Sequence, residues 1–163
     1  MAMKDMDAAL QLVARNDRQA DFVGKRSTEM VADAESALGV RFPPTYRKFL
    51  TELGAGDIAG EEFYGVTTNT FVSSSVPNGI WLTLEERKGG LPSPLVIVYA
   101  TGDGTWFALD TSEVDSQGES PVVSWTPGSS MSNRRLVRVA DDFGQFFLHT
   151  IREALSGLDR TVS

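Results

Sequence analysis

The side chains that could do chemistry are few and narrow in kind. The 163 residues include no cysteine and a single histidine, His149. Thiolate nucleophiles, disulfides, zinc fingers and iron–sulfur clusters are thereby ruled out, as is any site that needs two imidazoles. A Ser-His-Asp site needs an elbow such as GxSxG, and none exists; the serines at 73–75 and 129–130 stand in loops. His149 follows Phe147 by two residues, off the apolar stripe of a terminal helix, and reads as a half-exposed surface histidine. Asp103, Asp110 and Asp115 invite a metal reading, but the DxDxDG pattern with a closing Glu is absent, and turn chemistry accounts for Asp103. Gly54-Ala55-Gly56 with Gly60 is spaced GxGxxxG, not GxGxxG, and follows a helix, so it reads as a helix-to-strand turn. Gly24-Lys25 with Ser27 lacks the leading glycine of a phosphate loop, since position 19 is Gln. Trp81, Trp106 and Trp125 could stack on a ligand, but in a β meander they read as core or half-buried sheet residues.

Motif and composition thus supply no reaction, no cofactor and no metal. They favour a binding protein, whose function needs only surface shape and charge. Charge is unevenly placed. The net charge is −7, and residues 51–133 alone carry 11 acidic and 2 basic side chains. Such a surface repels phosphate backbones, so direct nucleic-acid binding is not expected. Eleven acids in one stretch make some close carboxylate pair expected by chance, so glycosidase-type chemistry gains little from them. The stretch 1–10 has no apolar core of the signal-peptide kind, and the longest strongly apolar run, 95–100, is far too short to span a bilayer. A cytoplasmic protein is expected.

The elements that must position these groups follow from periodicity. Met6, Ala9, Leu10 and Val13 form one helical stripe. A polar connector runs from Asn16 to Lys25. Ser27 or Thr28 caps a second helix bearing Met30, Val31, Ala34, Ala37 and Leu38, and Gly39 sits at its C-terminal cap. Val40-Arg41-Phe42 is an extended link. Pro43-Pro44 opens a third helix with Tyr46, Phe49, Leu50 and Leu53 on one face. Residues 62–68 form a strand, residues 80–88 a helix ending at Gly89-Gly90. Residues 94–100 and 105–110 are strands joined by a turn at Thr101-Gly102-Asp103-Gly104. Residues 114–119 are a polar loop, 121–126 a strand and 128–134 a loop. Asp141 or Asp142 caps a last helix that carries Phe143, Phe146, Phe147 and Ile151 and ends at Gly157. This order predicts an α+β fold, a mostly antiparallel sheet packed against N-terminal and C-terminal helices. The expected division is a helix and connector over 1–26, the main domain over 27–157 and a tail over 158–163, together one globular unit.

An ordered set of short pieces resembles the SUKH superfamily, the group of Smi/Knr-type domains. Gly39, Phe42-Pro43, Tyr46, Phe49-Leu50 and the glycines 54 and 56 resemble its helix, "LG-x-x-[LF]-P" and "Y-x-x-F-L" signature. Phe63-Tyr64-Gly65-Val66 resembles its "I/F-Y-G-L/V" strand. Leu95–Ala100, Gly102-Asp103-Gly104, Trp106–Asp110 and Pro121-Val122-Val123 resemble its later strands and turn. Phe143-Gly144-Gln145-Phe146-Phe147 resembles its closing "F-x-x-F-L" helix, with Phe147 where Leu is usual. The resemblance covers about residues 27–155. It implies a domain without enzymatic activity, in bacteria often an immunity protein that binds and neutralises a cognate toxin, elsewhere a regulatory or scaffolding interaction domain in cell-wall synthesis. It carries over no contact residue. The charge map adds an expectation of its own: the sheet-side acids Asp57, Glu61, Glu62, Asp103, Glu113, Asp115 and Glu119 form an acidic flank that meets a basic surface on the partner.

Overall fold

The computed structural model describes residues 2–128 and 136–162, and the side chains of these up to Leu158. Helix α1 (Ala2–Arg15) buries Met6, Ala9 and Val13, three positions of the expected stripe. The connector is more ordered than its polarity suggests. A single 3₁₀ turn, Asp17–Gln19, leads into a short strand, β1 (Ala20–Phe22). β1 exists because it has a partner: Ala20, Asp21 and Phe22 pair antiparallel with Ile58, Asp57 and Gly56. Helix α2 (Thr28–Leu38) begins where the Ser27 hydroxyl accepts from the Met30 N–H at 3.1 Å. It ends at Gly39, whose φ of 69° is the left-handed cap conformation that glycine adopts without strain. Helix α3 (Pro44–Glu52) starts with proline at its first position, where no N–H partner is needed.

Two antiparallel sheets follow. β2 (Gly56–Ile58) and β3 (Glu61–Phe63) complete a three-stranded sheet in the order β1-β2-β3. β3 is shorter than the run 62–68, because the chain leaves the ladder at Tyr64. There the Tyr64 N–H donates to the Val98 carbonyl at 2.8 Å and stitches the first sheet to the second. Helix α4 (Gly79–Lys88) is capped by Asn78, whose Oδ1 accepts from Ile80 and Trp81 N–H, each at 3.1 Å. The second sheet runs β4 (Leu95–Ala100), β5 (Trp106–Asp110), β6 (Val122–Trp125) and β7 (Val137–Ala140) in sequential order. The fold class is therefore α+β as expected, with the sheet in two pieces. β7 has no counterpart in the sequence reading. Of the loop expected over 128–134, all but Gly128 lies outside the described residues, as do Ser129 and Ser130. Helix α5 runs from Phe143 to Val162, straight through Gly157 and the segment expected as a tail. A glycine inside a helix costs only about 1 kcal/mol, less than the packing of the helix around it provides.

The four-stranded sheet is covered on both faces, which is why residues 95–98 are apolar without alternation. Val96, Val98, Leu109 and Val122 join the main core with α1, α2, α3 and α5. Leu95, Ile97, Ala108, Val123 and Trp125 form a second cluster with Leu82 of α4, Leu91 and Tyr64. Trp125 is buried, and Trp81 and Trp106 are partly buried against that cluster, in keeping with a packing role. α1 packs chiefly along α5, so Met6, Ala9 and Val13 belong to the same core as the aromatic rings of α3 and α5.

Candidate protein-interaction surfaces

Many of the residues that carry the family-like motifs hold the chain together. The Tyr46 hydroxyl, fully buried, donates to the Tyr64 carbonyl at 2.9 Å. Phe49 and Leu50 lie in the main core. Gly65 is gripped by the segment 77–79: its N–H donates to Pro77 O at 3.0 Å, and its carbonyl accepts from Gly79 N at 2.7 Å. Buried Asn78 completes this junction, its Nδ2 donating to Thr67 Oγ1 at 3.1 Å and to Thr68 O at 3.3 Å. Among the described residues no group of three His, Asp or Glu side chains is arranged to hold a metal ion. His149 is exposed, fuller exposure than the half expected, on the rim of a shallow cavity lined also by Phe107, Val139 and Phe146.

The seven acids expected to form one flank separate into three places. Asp103 sits in the β4–β5 turn, where its carboxylate accepts from the Thr101 hydroxyl and the Thr105 N–H; these bonds hold its pKa below the usual carboxylate range. Glu113 and Asp115 lie beyond the other end of β5, about 17 Å of strand away. Glu113 makes a 3.6 Å ion pair with Arg138. Asp115 Oδ1 accepts from Gln117 and Glu119 N–H at 2.8 and 3.0 Å and so shapes the β5–β6 loop. Glu119 corrects the expectation: it is 2% exposed and faces inward. Its carboxylate accepts from the Thr45 N–H at 3.0 Å and from the Thr45 hydroxyl at 2.7 Å, capping the first turn of α3. The Thr45 hydroxyl in turn accepts from Gly144 N–H at 3.1 Å, which ties the start of α5 to the same carboxylate.

Glu61 and Glu62 are neighbours in the chain but point to opposite faces of β3. Glu61 is in register with buried Ile58, on the core side, and its carboxylate accepts from the Tyr99 hydroxyl. Glu62 is in register with Asp57, and Asp57 with Asp21. The outer face of the small sheet therefore carries a row of three carboxylates, Asp21, Asp57 and Glu62. Directly opposed residues stand about 5 Å apart at Cβ, and like charges so placed are destabilising. Among the described residues none of the three makes an ion pair. Burial, helped by repulsion from Asp57, pushes the Glu62 carboxyl above its ordinary range. Asp21 was missed from sequence because its strand was read as connector; the apolar-polar-apolar order of Ala20-Asp21-Phe22 is the signal that marks it.

Two predictions follow from these charges. Asp57→Asn is expected to raise stability by about 0.2–1 kcal/mol, since it removes the middle charge of the row. Urea unfolding checks this, and a loss of stability would show that Asp57 has an attractive partner. The second concerns pH. Glu62, Glu119 and Asp142 all have carboxyl pKa values raised, in each case mainly by burial. A carboxyl with a raised native pKa binds more protons folded than unfolded, so stability falls as pH rises through the interval above the ordinary carboxylate range. The melting temperature is expected to be higher near pH 5 than near pH 7.5. The opposite contribution of Asp103 enters only at lower pH, as its depressed pKa is approached. A melting temperature that falls steadily from pH 7.5 to 5 would contradict this sign.

No helix among the described residues is long and apolar enough to cross a membrane. The SUKH_6 family model, described as SMI1-KNR4 cell-wall, matches residues 28–147. That span takes in α2 through the first turn of α5, with the Tyr46–Tyr64 bond, the Gly65 junction and the β4–β5 hairpin inside it. On a match over this much of its length, the chain belongs to the SUKH superfamily.

Proposed function

We propose that this chain is a non-enzymatic immunity protein of the cytoplasm that binds a cognate bacterial toxin and masks its active site or substrate path. The observation that carries the reading is the unpaired row Asp21–Asp57–Glu62. Three carboxylates opposed across adjacent strands weaken the sheet that bears them, and a basic surface pressed against them relieves that repulsion. Nucleases and other nucleic-acid-targeting enzymes have such surfaces, because they must neutralise phosphates. Asp103, Glu113 and Asp115 stand apart from the row and add to the long-range field that steers encounter. Membership of the superfamily supports a protein partner.

The test is co-expression of the full chain with the product of the gene immediately upstream. Growth should be rescued, and the two proteins should co-purify. The association rate is expected to fall about tenfold or more between about 50 and 500 mM salt. Asp57→Lys with Glu62→Lys should abolish rescue without lowering the melting temperature. A flat salt response, or full rescue by the double variant, overturns the role of the row. The description of the matched family as cell-wall related favours a second reading, a regulatory interaction domain. Absence of any rescue, together with capture of a cell-wall-synthesis component, selects it.

A further inference from the structure

A cavity of about 690 Å³ lies apart from the acidic row. One wall is the link from Gly39 to Pro44, between α2 and α3. The other is the β5–β6 loop from Thr111 to Ser120, with Ser93 and Pro94 at one end. Val40, Phe42, Pro44, Pro94 and Val114 supply apolar surface, and Val114 on the lip is 64% exposed. The lining contains two arginines, Arg41 and Arg47; the acids of the loop wall stand outside it, Glu113 on Arg138, Asp115 on N–H groups of its own loop and Glu119 on Thr45. Arg47 is held by Glu35 at 2.9 Å and by the Phe42 carbonyl at 3.3 Å. Arg41 is free: among the described residues neither its guanidinium nor its main-chain N–H and C=O has a hydrogen-bonding or ionic partner. It sits in the irregular link between α2 and α3, where its main-chain N–H and C=O are open to an extended partner segment.

The walls are fixed in advance. The link is bounded by the left-handed Gly39 and by Pro43-Pro44, and the Phe42 N–H donates to Glu35 Oε2 at 2.7 Å. The loop is anchored beneath by Glu119 on Thr45 and internally by Asp115. A preformed groove loses little order on binding. We infer that this groove docks an extended, acidic segment of a protein partner, with a carboxylate on Arg41 and a neighbouring apolar side chain against Val40, Pro94 and Val114. Charge complementarity selects the occupant: the free guanidinium calls for an anion, and the apolar walls call for a peptide that carries it beside a hydrophobic residue. A polyphosphate chain would gain nothing from the apolar walls. The site is independent of the toxin-binding reading.

The test is titration of the isotope-labelled full chain with acetyl-Leu-Asp-Leu-Asp-Leu-amide, followed by amide and methyl chemical shifts. Shifts are expected at Val40, Arg41, Thr111, Ser112 and Val114, saturating in the millimolar range or below. Arg41→Glu should weaken the interaction about tenfold or more while leaving the melting temperature unchanged, since Arg41 holds nothing within the fold. The inference is overturned by absence of shifts at those residues, by equal shifts from the peptide with Lys in place of Asp, by equal binding to the Arg41→Glu variant, or by inorganic phosphate alone reproducing the whole pattern.

Discussion

Phe49→Ala is expected to destabilise the protein by about 3–5 kcal/mol, the range for deleting a fully buried ring from a well-packed core. Phe49 is 0% exposed, and it is the hub of the aromatic cluster. Its ring centroid lies 5.2 Å from both Phe143 and Phe147 of α5, 5.9 Å from Tyr46, 6.2 Å from Phe22 of β1 and 6.5 Å from Phe63 of β3. Most of these contacts are edge-on or tilted, arrangements that add to simple area burial. The ring is thus the shared wall of three elements: the helix that bears it, the small sheet with the acidic row, and the C-terminal helix. Their backbones are held by hydrogen bonds elsewhere and can collapse only partly into the space left, so the cavity term stays large. Domains of this kind have about 5–15 kcal/mol of stability in total, and the loss corresponds to a fall of roughly 6–20 °C in melting temperature. Thermal and urea unfolding followed by circular dichroism measure it. A loss under about 1 kcal/mol would mean that the ring is not the hub described.

Sequence periodicity was enough for features that a segment specifies by itself. The stripes of α1 and α3, the Ser27 and Gly39 caps and the Asp-Gly hairpin turn are local, and each is found in place. What could not be read were features that depend on a distant partner. β1 is three residues long and is a strand only because Gly56–Ile58 lies beside it. β7 exposes Val137, Arg138 and Val139 and buries only Ala140, so no alternating pattern announces it. The acidic surface shows the same division. The excess of acids in the middle of the chain is visible in the sequence, but strand register decides which of them meet. Register brings Asp21 beside Asp57 across 36 positions, separates adjacent Glu61 and Glu62 onto opposite faces, and leaves Glu119 to the N-terminus of α3.

Gly65→Ala is the second substitution with a large expected effect, and its cause is contact, not backbone freedom. The φ of Gly65 is not in the left-handed region. A methyl group there would stand 1.9 Å from the Gly54 carbonyl oxygen, 2.9 Å from Leu50 Cδ2 and 3.1 Å from Gly54 C. The first of these is main chain and cannot rotate away. To admit the methyl group, the turn after α3 must retreat by more than an ångström. That movement breaks the Val66 N–H to Gly54 carbonyl bond, 3.0 Å long, and strains the Tyr46 bond to the Tyr64 carbonyl. Both bonds are buried at a junction where water cannot replace them. The expected loss is about 3 kcal/mol or more, beyond ordinary overpacking because the obstacle is backbone. Gly89→Ala provides the control: its nearest neighbour would be Glu86 O at 3.6 Å and its φ is −97°, so its stability should change by no more than about 1 kcal/mol, toward gain. Because β3 ends two residues before Gly65, the same retreat shifts Glu62 relative to Asp57. Gly65→Ala protein that remains folded at low temperature should therefore bind a basic partner more weakly than the Gly89→Ala control. Equal stability of the two variants would show that Gly54 and Gly65 do not approach this closely in solution.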